Sequence, residues 1–335
     1  MREPDEIRGF AGIVGHRDAV AHIQNAIRSD KVSHAYIING EKGSGKRLIA
    51  TLFAMTLQCR EHGVEPCGQC PSCRKALTGN HPDIIYVKHE KPNTISVDEV
   101  RAQLVDDAAI RPYESPYKIY IVEEASKMTP QAQNALLKTI EEPPDYVVIM
   151  LLTENREALL PTILSRCVSL NLHPVSDEEM KEYLMKQMHV PDYQAEIEAA
   201  FAQGNIGRAK RIAESSDFME IVENAIRLMK MSRQMDVRDM IDAIRMLSKD
   251  RQQTYDYLGV FDMWFRDVLL FKATRDVDGL LFREEVSAIR ERATTSSYEG
   301  LEKIQQAIRT AEDRLRANVS FDLTMELMFL TIREN

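Results

Sequence analysis

The sequence predicts an α/β domain followed by an all-α half, and three observations carry that class. Short apolar runs alternate with helix-period segments through residue 174. One glycine-rich turn joins a strand directly to a helix. Beyond His173-Pro174 no strong strand signal follows. Strand–helix alternation of this kind predicts a parallel sheet covered by helices.

In order along the chain, Val20, Ile23 and Ile27 mark one face of a helix. AYIING (35–40) is a short apolar strand, and RLIATLFAMTLQ (47–58) continues from the glycine turn as a helix. IIYV (84–87) reads as a strand. Ser96 with Glu99 forms a capping-box pattern before a helix carrying Val97, Val100 and Leu104. KIYIVEE (118–124) is a buried strand, and Thr129-Pro130 supplies the N-cap and first position of the next helix. YVVIMLLT (146–153) is a further strand.

Residues 175–214 read as a small helical unit that opens at Ser176 with Glu179. Residues 215–335 are amphipathic helix. Val237, Met240, Ile241, Ile244 and Leu247 form one stripe, Phe261, Trp264, Phe265 and Val268 another, and SFDLTMELMFLTI closes the chain. Such stripes are the core of a helical bundle, or, for part of this apolar surface, the meeting face of another subunit.

The 335 residues are 44% hydrophobic and 28% charged, with a formal net charge of −9. That balance excludes a global positive field for nucleic acid, so any DNA contact must come from a local patch or from partner subunits. MREPDEIRGF carries no apolar core of a secretory signal, and the run VVIMLL (147–152) is far short of a membrane span. The expectation is a cytoplasmic chain, in which five cysteines point to metal or free thiols rather than disulfides.

GEKGSGKR (40–47) nearly completes the phosphate-loop pattern G-x-x-x-x-G-K-[ST]. Gly40, Gly43 and Gly45 let backbone N–H groups turn inward, and Lys46 can reach outer phosphates. Arg47 stands where a hydroxyl should hold magnesium, so turnover should suffer more than binding. The loop holds ATP or ADP without hydrolysis, or it is a relic. Glu123 and Glu124 follow the 118–122 strand where an Asp-Glu pair would orient magnesium and water. Glu123 has the right charge but one methylene too many.

Cys59, Cys67, Cys70 and Cys73 have the spacing C-x7-C-x2-C-x2-C, which can close a tetrahedral structural zinc site. Reduced thiols on a loop and a redox pair are the other readings. Cys167, distant in sequence, is expected to be a buried thiol.

QNALLKTIEEPP (133–144) and LLTENREALLPTILSRC (151–167) resemble the clamp-loader branch of the AAA+ ATPases. SHAYIINGEKGSGK and the cysteine module inserted after the loop's helix fit the same branch. The resemblance implies an AAA+ module over 1–174 with a zinc module about 59–73, a helical lid over 175–214 and a helical collar over 215–335. It implies a hetero-oligomeric ring with other clamp-loader subunits (delta, gamma/tau) that acts on a sliding clamp and primed DNA. Arg166, in Ser165-Arg166-Cys167, matches the arginine finger that reaches a neighbour's ATP. Arg208, in GNIGRAK, matches a second sensor arginine. Arg47, the Glu-Glu pair and Glu154-Asn155 depart from the ATPase members and point to a scaffold subunit of the replication machine. Two alternatives are a working clamp-loader ATPase and, more remotely, a P-loop nucleotide kinase with a zinc lid.

Overall fold

The computed structural model describes residues 9–215, 217–317 and 319–335. The first eight residues, on which part of the N-terminal reading rests, lie outside them. Two compact units divide the chain. One runs to Tyr183 and takes in Gln203–Arg208, and the other comprises Leu184–Ala202 and Ala209–Asn335.

The first unit is built on a five-stranded sheet of β1 (Ala35–Asn39), β2 (Ile84–Val87), β3 (Lys118–Val122), β4 (Val147–Thr153) and β5 (Val168–Asn171). The strand order is β2-β3-β4-β1-β5 and every pairing is parallel. Ile37 pairs with Leu151 and Ile121 with Met150. β3 and β4 are buried along their whole length, which is why they read as continuous apolar runs. Successive residues of β1 feed two separate cores, as the two-residue period of a strand requires. Tyr36 and Ile38 join the core of α1 (Arg17–Arg28), α2 (Lys46–Gln58) and α3 (Pro71–Leu77). Ala35 and Ile37 join that of α4 (Val97–Val100), α5 (Pro130–Glu141) and α6 (Pro161–Leu164).

The capping box at Ser96 forms as expected. Ser96 Oγ accepts the Glu99 N–H at 3.3 Å, and the Glu99 carboxylate accepts the Ser96 N–H at 2.7 Å. The helix that follows is regular for one turn only, then passes into a π-turn (Arg101–Val105) and a 3-10 turn (Asp107–Ala109). Buried Lys118 explains where it ends: its Nζ donates to the carbonyls of Asp107 and Ile110 at 2.9 and 3.2 Å. Two elements lack a clear signal in the sequence. β5 is an edge strand with one buried residue, Leu170. α3 is a short helix with Cys70 as its N-cap and Pro71 next.

The remaining elements are helices: α7 (Asp177–Gln187), α8 (Asp192–Ala202), α9 (Ile206–Glu214), α10 (Phe218–Met231), α11 (Val237–Leu247), α12 (Arg251–Thr274), α13 (Val286–Thr295), α14 (Tyr298–Arg316) and α15 (Phe321–Glu334). Phe261, Trp264, Phe265 and Val268 of α12 are buried with Met325 and Phe329 of α15, as their spacing predicts. The stripe on α11 differs from expectation. Met240, Ala243, Ile244 and Leu247 face the core, while Val237 is 66% exposed and Ile241 39%. The small Ala243 takes the core-facing position, so the buried face is turned away from Val237 and Ile241. Among the described residues no helix is long and apolar enough to cross a membrane.

Candidate functional site

The glycine turn lies between the end of β1 and the start of α2. Gly43 and Gly45 have φ of +88° and +91°, a conformation that side chains rarely adopt. Lys46 Nζ donates to the carbonyls of Gly40 and Glu41 at 2.7 and 2.8 Å. Partial burial lowers the Lys46 pKa, and the charges of Glu154, Glu41 and Glu124 act against that.

The start of α9 is fastened to the same turn. Asn205 Nδ2 donates to the Lys42 carbonyl at 2.7 Å, and the Gly207 N–H donates to the Gly43 carbonyl at 2.9 Å. Asn205 Oδ1 also accepts the Arg208 N–H at 3.0 Å, so one side chain caps α9 and holds the loop. The Arg208 backbone thereby lies one residue beyond the Gly207 contact with the turn. Asn205 was not singled out from the sequence. Its signal is an Asn directly after Gly204, at a helix start.

Glu123 and Glu124 leave the end of β3 beside the turn. Arg47 Nε lies 3.2 Å from Glu123 Oε1. Its guanidinium sits over the Tyr86 ring, 5.2 Å from the centroid. Tyr86 OH is 2.8 Å from Thr51 Oγ1, and Thr51 in turn donates to the Arg47 carbonyl at 2.8 Å. Glu124 adopts φ of +51° and pairs with Lys127 at 2.8 Å and His89 at 3.4 Å. The hydrogen bond from Lys127 holds its carboxyl below the usual range. Arg47, Glu123 and Glu124, with Lys46 and Glu154, line a cavity of about 370 Å³.

Arg166 lies between α6 and β5, and its contacts are local. Nε pairs with Glu141 Oε1 at 3.0 Å, and Nη1 donates to the Thr162 carbonyl and Ser165 Oγ at 3.0 and 3.1 Å. The two stretches that carry the family resemblance thus meet in one ion pair. Both its side chains are about half exposed, at 41% and 45%, so the pair holds Arg166 weakly.

The four cysteine Sγ atoms all lie within 4.8 Å of one another, and Cys67 Sγ is 3.9 Å from Cys73 Sγ. Ligands about 2.3 Å from a tetrahedral ion are about 3.8 Å apart, so the cluster fits zinc in size. The backbone N–H groups of Cys67, Cys70 and Cys73 point at Cys59, Cys67 and Cys70 sulfur at 3.3 to 3.4 Å, an arrangement that favours thiolates. Burial pushes Cys73 up. Burial acts on Cys70 as well, but N–H donors from Arg60 and Cys73 and the neighbouring thiols bring it down to about 6. Ser72 of the module lies 2.9 Å from His81 Nε2, and the Asp83 carboxylate accepts the N–H groups of Tyr113, Glu114 and Ser115. This wiring ties the module to the sheet. Cys167 is partly buried, and burial raises its pKa to about 11.

A glycine turn between the first strand and its helix, acids after β3 and this order of parallel strands define a P-loop module of the AAA+ class. The model of the family "DNA polymerase III, delta subunit" matches residues 15–176. The chain is 30% identical over 316 residues to DNA polymerase III subunit delta' of Bacillus subtilis, covering 93% of this chain and 94% of that protein. It is also 30% identical over 300 residues to the tau subunit of the same organism, but spans only 53% of that protein. A gamma subunit-related protein of Thermotoga maritima superposes with a TM-score of 0.49 at 20% identity, covering 95% of this chain and 99% of that one. The chain belongs to the delta prime family of DNA polymerase III clamp-loader subunits, and the tau/gamma assignment is the less favoured one.

Proposed function

We propose that this chain is the scaffold subunit of a bacterial clamp loader, idle at its own phosphate loop and active in trans through Arg166. Residues 1–174 serve as the AAA+ module, 175–214 as a lid and 215–335 as a collar through which delta and gamma/tau subunits assemble. The ring so formed opens a sliding clamp and places it on primed DNA. Cys59, Cys67, Cys70 and Cys73 hold a structural zinc ion, since four thiolates leave no coordination position for chemistry. Gly40, Gly43, Gly45, Lys46 and Arg208 keep a site for ATP or ADP.

One observation carries this reading. Arg47 is paired with Glu123, so the carboxylate that would orient magnesium is engaged by a cation of the chain itself. Hydrolysis at this loop then lacks the metal that bridges the β- and γ-phosphates. Arg166, by contrast, needs only to leave Glu141 to meet a nucleotide on an adjoining subunit. There its guanidinium stabilises charge developing on the γ-phosphoryl group.

The test is Arg166→Ala in the reconstituted loader. DNA-stimulated ATP turnover should fall at least about tenfold, since arginine fingers contribute up to several orders of magnitude. Size-exclusion chromatography should show an intact assembly. Unchanged turnover in an intact ring removes Arg166 from the catalytic cycle.

A further inference from the structure

We infer that the Arg47–Glu123 pair occupies the place of the divalent cation, making the Gly40–Arg47 loop a metal-independent site that takes a nucleoside diphosphate in preference to a triphosphate. The inference rests on the reading of this loop as a retained phosphate site.

In a working phosphate loop, the residue after the lysine and the acid after the third strand face each other across magnesium. Here those two positions touch directly, at 3.2 Å. Neighbouring residues flank the contact. The guanidinium carbon lies 5.2 Å from the Tyr86 ring centroid, and Thr51, one turn along α2, bonds to the tyrosine hydroxyl and back to the Arg47 carbonyl. Tyr86 of β2 and Thr51 of α2 flank the pair, whose side chains are 68% and 36% exposed. The pair is made through Arg47 Nε. In the proposed complex the Nη edge of the fork meets phosphate oxygens, the geometry at which guanidinium excels.

Charge decides which phosphate chain fits. Magnesium beside one carboxylate leaves a net positive charge, whereas arginine beside one carboxylate leaves none. Glu123, Glu124 and Glu154 all line the cavity. Glu124 is balanced by Lys127 at 2.8 Å. Two phosphates can be met by Lys46, the Arg47 fork and the N–H groups at the start of α2. Lys46 would exchange the Gly40 and Glu41 carbonyls for phosphate oxygens. A third phosphate adds negative charge to a cavity that Glu154 also lines, with no divalent ion to screen it. The cavity, about 370 Å³, lies at the small end of the range for ligand pockets, roughly 300–1,000 Å³.

The experiment is calorimetric titration of the full chain with ADP and with ATP, each in chelator and in excess magnesium. ADP should bind in chelator with an affinity that magnesium changes by less than about threefold, and ATP should bind at least about tenfold more weakly. Arg47→Lys keeps the charge but loses the fork and should weaken ADP at least about tenfold. Arg47→Thr with Glu123→Asp should make nucleotide binding tighten on adding magnesium. Circular dichroism checks that each variant is folded. Magnesium-dependent binding by the wild-type chain, ATP binding as tight as ADP, or no heat with ADP each overturns the inference. None of these outcomes touches the trans role, which the Arg166→Ala turnover assay tests on a neighbour's nucleotide.

Discussion

Gly207 has less room than any ordinary side chain requires. A Cβ there would lie 2.8 Å from Gly43 Cα and 2.9 Å from Gly43 oxygen, both backbone atoms that cannot swing aside. Gly207→Ala should therefore part the glycine turn from the start of α9, lengthening the 2.9 Å bond between them. The expected cost is about 1–3 kcal/mol, in the range of overpacked sites, read as a lower urea midpoint with unchanged slope. A stability equal to wild type would show that the contact yields freely. The presence of a phosphate-type loop is legible from Gly40, Gly45 and Lys46 in the sequence. That Gly43 and Gly207 share one backbone contact is not, because nothing in either local pattern refers to the other.

At the scale of the element, the capping box of α4 offers the cleanest test. Removing the cap by Ser96→Ala should cost about 1 kcal/mol in chemical denaturation. Hydrogen bonds from the Ser96 side chain and backbone and from the Glu90 N–H hold the Glu99 carboxyl down to about 2. The folded value lies below the ordinary one of 4.5, so the stabilisation is complete above about pH 4.5 and is lost as pH falls through about 2. Glu99→Gln should thus be less stable than wild type at neutral pH, and the gap should close as pH falls from about 4.5 toward 2 in denaturation curves. The cap is readable in four residues because it is made within four residues. The 3-10 turn that ends the helix is unreadable there, since its Asp107 carbonyl is held by Lys118, a residue of β3. β5 gives no local signal for a related reason: an edge strand with only Leu170 buried shows no alternation.

At the scale of the whole molecule, the zinc site and the helical unit should respond separately. The four cysteines lie in the first unit, from the end of α2 into α3, while the core around Trp264 belongs to the second. Chelation should lower the calorimetric transition of the α/β unit and leave that of the helical unit in place. Metal analysis should give one zinc per chain, and Cys73→Ser should reduce it. Because thiolates bind the ion, zinc should be released as pH falls and they are protonated. A single transition unmoved by chelator would argue against a structural metal. The exposed Val237 and Ile241 on α11 and Leu323 and Leu327 on α15 belong to this scale too, since single-chain periodicity cannot separate core from a face for another subunit.

The sequence by itself determined the α/β-then-α order, the buried strands, the helix caps, the cysteine spacing and the departures at Arg47 and Glu123. Each of these is written in residues close along the chain, where periodicity and spacing are physical quantities. Only the tertiary structure decided that Arg47 rests on Glu123 above Tyr86, that Glu141 holds Arg166, and that Asn205 and Gly207 grip the glycine turn. Those partners are distant in sequence. Their meeting is set by how the sheet and helices pack, which no local pattern encodes.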